Sequence, residues 1–241
     1  MRFKNYLLLG LSGLIFISCS EPKATNTEQL AALIAQYEDY ESFDREANPL
    51  GLYTADRFQK DADFAVELLE KVKTLDTAGL SASEKISKEL LSFVLKDEIS
   101  YNSYKRYLNP LLSDSGFHLN LNYRVRPLVT YEQVRNYLNV LNAVPAYVDQ
   151  HFTNLREGIN TGQVQAAIIF KGYESTYDDH IVDDYQKSYF YSPFLKLPEN
   201  LTQAQKDSVL TAAKAAVEEN VIPQFKRIKT FFEEEYYPNA R

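Results

Sequence analysis

The sequence predicts an all-α protein, an irregular multi-helix array with kinked long helices. Apolar residues recur at three- and four-residue steps through most of the chain. Four hydroxyl residues, Thr25, Ser81, Thr130 and Thr202, each stand three places before a Glu or Gln at the head of such a run, the spacing at which side chains satisfy the first free amides of a helix. No period of roughly twenty to fifty residues is present, so a repeat solenoid is excluded.

Thr25 and Glu28 open a first helix, expected over 27–44 and ending near Asn48-Pro49-Leu50-Gly51. A second runs from Thr54 to Asp76, with Phe58, Ala62, Ala65, Leu68, Leu69, Val72 and Leu75 on one face, and Gly79 closes it. Ser81 and Glu84 start a third, whose apolar positions Ile86, Leu90, Val94, Tyr101, Tyr104 and Leu108 lead to Asn109-Pro110. From 111 to 129 the periodicity fails, and Asp114, Gly116, Asn120, Asn122 and Pro127 mark a long ordered loop of the kind that often carries function. Thr130 and Gln133 begin a fourth helix. Its stripe is Val134, Leu138, Leu141, Val148, Phe152, Leu155 and Ile159, with a kink expected at Pro145 and an end at Gly158 and Gly162. Residues 166–170 are apolar without a readable period, and 173–191 are dense in aromatic and acidic side chains. Thr202 and Gln205 start the last long helix, which carries Leu210, Ala213, Val217, Val221, Phe225, Ile228, Phe232 and Tyr236 and is bent near Pro223.

Ahead of these helices lies an export signal. Arg2 and Lys4 precede eleven apolar-rich residues, Leu7 to Ile17, too few to span about 30 Å of hydrocarbon as a helix. Phe16-Ile17-Ser18-Cys19 resembles the lipobox of bacterial lipoproteins, in which the peptide is cut before a cysteine that then carries acyl chains. The chain accordingly divides into a signal peptide (1–18), a polar tether (19–27) that begins with the lipidation residue Cys19, and a helical domain (28–241). The expected location is the exported bacterial cell envelope, with the membrane as a partner through several acyl chains, since one alone holds only marginally.

Cys19 is the sole cysteine, so stability comes from packing rather than from internal disulfides. The net charge of the whole chain is −7; removal of Arg2 and Lys4 leaves 24 basic against 33 acidic residues, a net −9. Such a surface repels phosphate backbones, which excludes nucleic acid as a partner and leaves a covalent anchor as the means of holding a membrane.

His118, His151 and His180 are far apart, and none belongs to an H-E-x-x-H pattern. The best local metal constellation is His180 with Asp184, which would stack at four-residue spacing on a helix; the competing reading is a solvated acidic face. His118, in the long loop, is a candidate cleft contact or a hydrogen-bonded structural residue. Arg124 and Arg126 would clamp a carboxylate through their planar forks, or pair with the chain's own acids. His151 reads as structural. Eighteen tyrosines and no tryptophan suggest a groove for peptides or glycans lined by amphipathic rings, or rings packed inside with wet hydroxyls.

Leu155-Arg156-Glu157-Gly158-Ile159, Ser192-Pro193-Phe194, Val221-Ile222-Pro223 and the run from Phe231 to Arg241 resemble, in order and spacing, the N-terminal half of the bacterial domain-of-unknown-function 885 family. The resemblance implies longer, mostly helical, often lipid-anchored proteins that look like zinc metallopeptidases. Their H-E-x-x-P-G-H type motif lies in the C-terminal half, and this chain holds no His-Glu dipeptide, so no metal or catalytic residue carries over. The expectation is therefore an incomplete half of a larger metallopeptidase-like fold. It would be inactive alone, with no cofactor of its own, zinc only in a C-terminal catalytic half, and that half and a peptide substrate as partners. Part of the last helix's apolar face, or a neighbouring one, should then lie uncovered. The alternative is a stand-alone helical envelope lipoprotein that binds peptides or glycans, using the 111–129 loop and the tyrosine-rich stretch.

Overall fold

The structure is a computed structural model and describes residues 24–241. The expected signal peptide, Cys19 and most of the tether lie outside the described residues. The protein is all-α; among the described residues the sole β feature is a bridge between Leu112 and Ser115.

Three helices form a first layer: α1 (Asn26–Glu38), α2 (Ala55–Thr74) and α3 (Ala82–Ser103). The hydroxyl caps are in place at Thr25 and Ser81, each with its Glu returning to the cap amide. Thr54 caps α2 through Arg57 N. α1 stops short of Asp44. That carboxylate accepts from Glu46 N (2.8 Å) and Ala47 N (3.1 Å), a local turn that competes with further helix. All seven positions expected on the apolar face of α2 are buried, and Ala65, Leu68, Leu69 and Val72 pack against Leu91 and Leu95 of α3.

The buried face of α3 differs from the one expected. Ile86, Leu90 and Tyr104 point to solvent, while Leu91, Ser92 and Leu95 meet α2. α3 carries apolar residues on two sides, and the partner decides which side is inside. The helix ends at Ser103, and a left-handed Lys105 (φ 48°) turns the chain so that Tyr107 and Leu108 are buried beside Phe58.

The second layer is built on α4 (Tyr131–Thr161). It runs through Pro145 as an uninterrupted helix and is stopped by left-handed Gly162 (φ 73°) rather than by Gly158. Gly158 stays helical for another reason: a Cβ there would lie 2.7 Å from Leu108 O and 2.9 Å from Gln163 O, so its bare Cα lets the chain after α3 cross α4. Val134, Leu141, Val148, Phe152 and Leu155 are buried, with Leu138 and Ile159 half-buried. Two short helical stretches, Ala167–Phe170 and α5 (Ser175–Asp178), precede a Pro-punctuated 3-10 segment, Tyr189–Leu195.

The last rod is composite: α6 (Gln203–Ala215), a π turn (Ala216–Val221), α7 (Ile222–Thr230) and a second π turn (Phe231–Tyr236). Pro223 lacks the amide that would bond residue 219, and the preceding turn widens to five-residue spacing, which absorbs the break without ending the rod. Of the expected uncovered face, this rod shows only Leu210 near its start, 36% exposed; the exposed apolar row lies instead on α3. Val217, Val221, Phe225, Ile228, Phe231, Phe232 and Tyr236 are all buried, covered by α4 and by aromatic residues of 170–177. Phe152 stacks on Phe231 (4.3 Å), and Arg156 of α4 forks onto Glu235 through two 2.7 Å bonds.

Candidate functional site

The three histidines converge on the aromatic interior rather than on a cleft. His118 is fully buried; its Nε2 lies 2.9 Å from Thr176 Oγ1, whose own hydrogen goes to Tyr173 O (2.6 Å). Thr176 must therefore accept, so His118 carries a proton on Nε2, while its buried Nδ1 has no partner to stabilise a second. Burial pushes its pKa down to about 3, with His180 and His151 adding to the shift. His151 is held between Tyr53, Phe117 and Tyr147 at ring distances of 4.3, 4.7 and 4.5 Å, with both nitrogens unpartnered, and burial lowers it to about 3 as well. It is structural, as expected. His180 lies 4.5 Å from the Phe225 ring and is also lowered by burial.

These residues do not fit a zinc site. Residues 180–184 are not helical, so His180 and Asp184 are not stacked; Asp184 instead caps Gln186 N (3.0 Å). Among the described residues no group of three or more His, Cys, Asp and Glu side chains is placed to hold a metal ion.

A cleft of about 600 Å³ opens where the end of the 111–129 loop meets the loop that follows the tyrosine-rich stretch, between Val125–Val129 and Tyr189–Glu199, with Tyr189 the one residue of that stretch in its lining. The local sequence explains both walls. Pro127 keeps its strand of chain extended, and Gln133 Oε1 at the head of α4 accepts from Val129 N (2.8 Å). Opposite, Tyr137 donates to Phe190 O (2.9 Å), and the Tyr137 and Phe194 rings lie 5.4 Å apart, fixing the 3-10 segment on α4. Leu128, Pro193 and Pro198 are buried at the floor; Arg126, Tyr189 and Lys196 stand at the rim with Glu199.

Of the expected cleft contacts, only Arg126 lines this space. Its Nε donates to Tyr123 O (3.1 Å), and neither it nor Lys196 forms an ion pair among the described residues. His118 is in the core, and exposed Arg124 is not part of the lining. Lys196 and the Pro193 to Pro198 wall were missed by sequence reasoning; Ser192-Pro193-Phe194 marked the segment but not what it faces.

A second groove of about 600 Å³, between the start of α2 and α4, has part of its polar lining committed, while Lys105, Glu157 and Asn160 make no side-chain bond among the described residues. Gln150 accepts from Tyr53 N (2.6 Å), Asn154 donates to Tyr53 O (2.8 Å), and Arg156 holds Glu235. The Val125–Glu199 cleft differs in setting two cations without ion pairs, Arg126 and Lys196, over a buried apolar floor of Leu128, Pro193 and Pro198, which makes it the better candidate.

A family model described as bacterial protein of unknown function (DUF885) matches residues 36–241. No curated protein matches. Among solved structures, a protein of Colwellia psychrerythraea described as a candidate lipoprotein superposes with a TM-score of 0.65 at 12% identity, a likeness of fold alone. The match covers 90% of this chain and 40% of that one, so the chain spans well under half the length of its structural neighbour. No helix among the described residues is long and apolar enough to cross a membrane.

Proposed function

This chain belongs to the bacterial DUF885 family, and on that premise we propose that it is the helical N-terminal portion of a longer, zinc-metallopeptidase-like envelope protein, supplying a peptide-holding wall but no catalysis by itself. The family's implied zinc chemistry belongs to residues outside this sequence. Cys19 is the proposed acyl anchor, a reading supported by the ordered charge, apolar run and cysteine at the N-terminus and by the description of the structural neighbour.

The observation that carries the reading is the Val125–Glu199 cleft. Its apolar floor suits a hydrophobic side chain, while Arg126 and Lys196 at the rim suit a carboxylate, which together describe the C-terminal end of a short peptide. Titration calorimetry with an apolar tripeptide tests it. Replacing Arg126 and Lys196 by Ala, or amidating the peptide, is expected to weaken binding about tenfold, roughly the value of one charge-assisted contact. Equal affinities in all three cases would remove the cleft from the account.

A second reading, a stand-alone helical lipoprotein that binds peptides or glycans, is favoured by the covered face of the last rod. The two part at turnover. A family-length protein containing this sequence should cut the bound peptide in the presence of zinc under the first reading, and should return it intact under the second.

A further inference from the structure

α1 begins beside the turn that joins α2 to α3. Asn26 Nδ2 donates to Ala78 O (2.8 Å), and Leu30 is buried with Leu75 and Leu80. From that corner α3 presents Ile86, Leu90 and Phe93 to solvent at 69, 60 and 68% exposure. Steps of four and three residues place these side chains in one row, while Leu91 and Leu95 bury the other side against α2. An apolar row on a helix already anchored by its opposite face is not needed for packing among the described residues, which leaves it for a lipid surface, a second copy or a further part of a longer chain.

Chain length favours the lipid surface. Five peptide steps separate Cys19 from Ala24, at most about 18 Å of extended chain. Phe93 lies eleven residues beyond Ala82, about 16 Å along the axis of α3. An anchor at Cys19 therefore keeps the whole row within reach of the bilayer.

We propose that the Ile86, Leu90 and Phe93 face of α3 lies on the lipid surface next to the anchor, with its apolar side chains in the headgroup boundary. This rests on the lipid-anchor reading of Cys19. Three side chains bind a bilayer weakly from solution, but the tether makes the second contact intramolecular, at an effective concentration on the order of millimolar. Attraction to anionic lipid plays no part, because Lys85, Lys88 and Lys96 on α3 are matched by Glu84, Glu89, Asp97 and Glu98.

The natural sequence has no tryptophan, so Phe93→Trp places a single indole on the row, and Ile168→Trp places one on an exposed site of the other layer. Each protein, from Cys19 onward, is coupled through that cysteine to a maleimide lipid in phosphatidylcholine vesicles with brominated acyl chains, or left uncoupled. Emission from the Phe93→Trp protein should shift to the blue and be mostly quenched only when coupled, and the Ile168→Trp protein should keep an aqueous spectrum throughout. Adding Leu90→Glu to Phe93→Trp, with helicity checked by circular dichroism, should abolish the quenching. Unquenched emission from the coupled Phe93→Trp protein overturns the proposal, as does quenching that survives Leu90→Glu. A vesicle-independent blue shift that grows with protein concentration alongside a sedimenting dimer also overturns it, assigning the face to a second copy. Because the coupling is synthetic, failure of the anchor reading is scored separately, by an unacylated Cys19 mass in protein from native cells.

Discussion

Replacing His151 by Phe should flatten the acid side of the stability curve by a calculable amount. His151 sits among three aromatic rings with both nitrogens unpartnered, and burial lowers its pKa to about 3, against about 6.5 in an unfolded chain. Between those values the unfolded chain binds the proton and the folded one does not, so stability is complete above about pH 6.5 and falls as the pH drops towards 3. From pH 8 to pH 5 the loss is about 2 kcal/mol for one such histidine. His118, also lowered to about 3, loses a similar amount. His151→Phe removes one of these losses, to which His180, also lowered by burial, adds its own. Its effect at pH 8 combines relief of two orphaned nitrogens with some overpacking, each about 1–3 kcal/mol and of opposite sign, so the pH dependence is the informative quantity. Urea unfolding followed by circular dichroism at pH 8, 7, 6 and 5 measures it. The variant should gain about 2 kcal/mol on wild type between pH 8 and pH 5. A pH-independent difference, or a folded-state His151 titrating near 6.5 by NMR, would refute the reasoning.

Gly158→Ala should destabilise by about 2–3 kcal/mol, since its new methyl meets the backbone carbonyls of Leu108 and Gln163 and neither can move without shifting a helix end; thermal unfolding reads this directly. Tyr137→Phe strands the Phe190 carbonyl and should cost about 1–2 kcal/mol in urea unfolding, with peptide binding at the cleft weakened because the Tyr189–Leu195 wall loses its tie to α4.

Local chemistry made much of the fold legible. Thr25, Ser81, Thr130 and Thr202 act within three residues of themselves, so their caps could be placed before any partner was known. The stripe of α2 was equally clear because that helix has one apolar side. α3 has two, and its choice of Leu91 and Leu95 over Ile86 and Leu90 depends on α2, which no spacing within α3 encodes. A disruption at Pro223 was readable, but its form, a π turn within a continuing rod, was not, because that turn depends on how the whole rod is held by α4. The site was less legible still. Arg126 and Lys196 are seventy residues apart, and their shared cleft exists only because Tyr137 pins the second segment beside the first. The sequence leaves His118 open between cleft and core, because its partner in the interior, Thr176, is fifty-eight residues away.

On the proposed reading the chain is a helical, peptide-holding scaffold, and among the described residues no side chains are grouped to hold a metal ion. Zinc stoichiometry by mass spectrometry after incubation with zinc and desalting, with a peptide-cleavage assay on the same sample, tests it most directly. The account predicts far less than one zinc per chain and intact peptide; one tightly held zinc per chain with steady hydrolysis would contradict it.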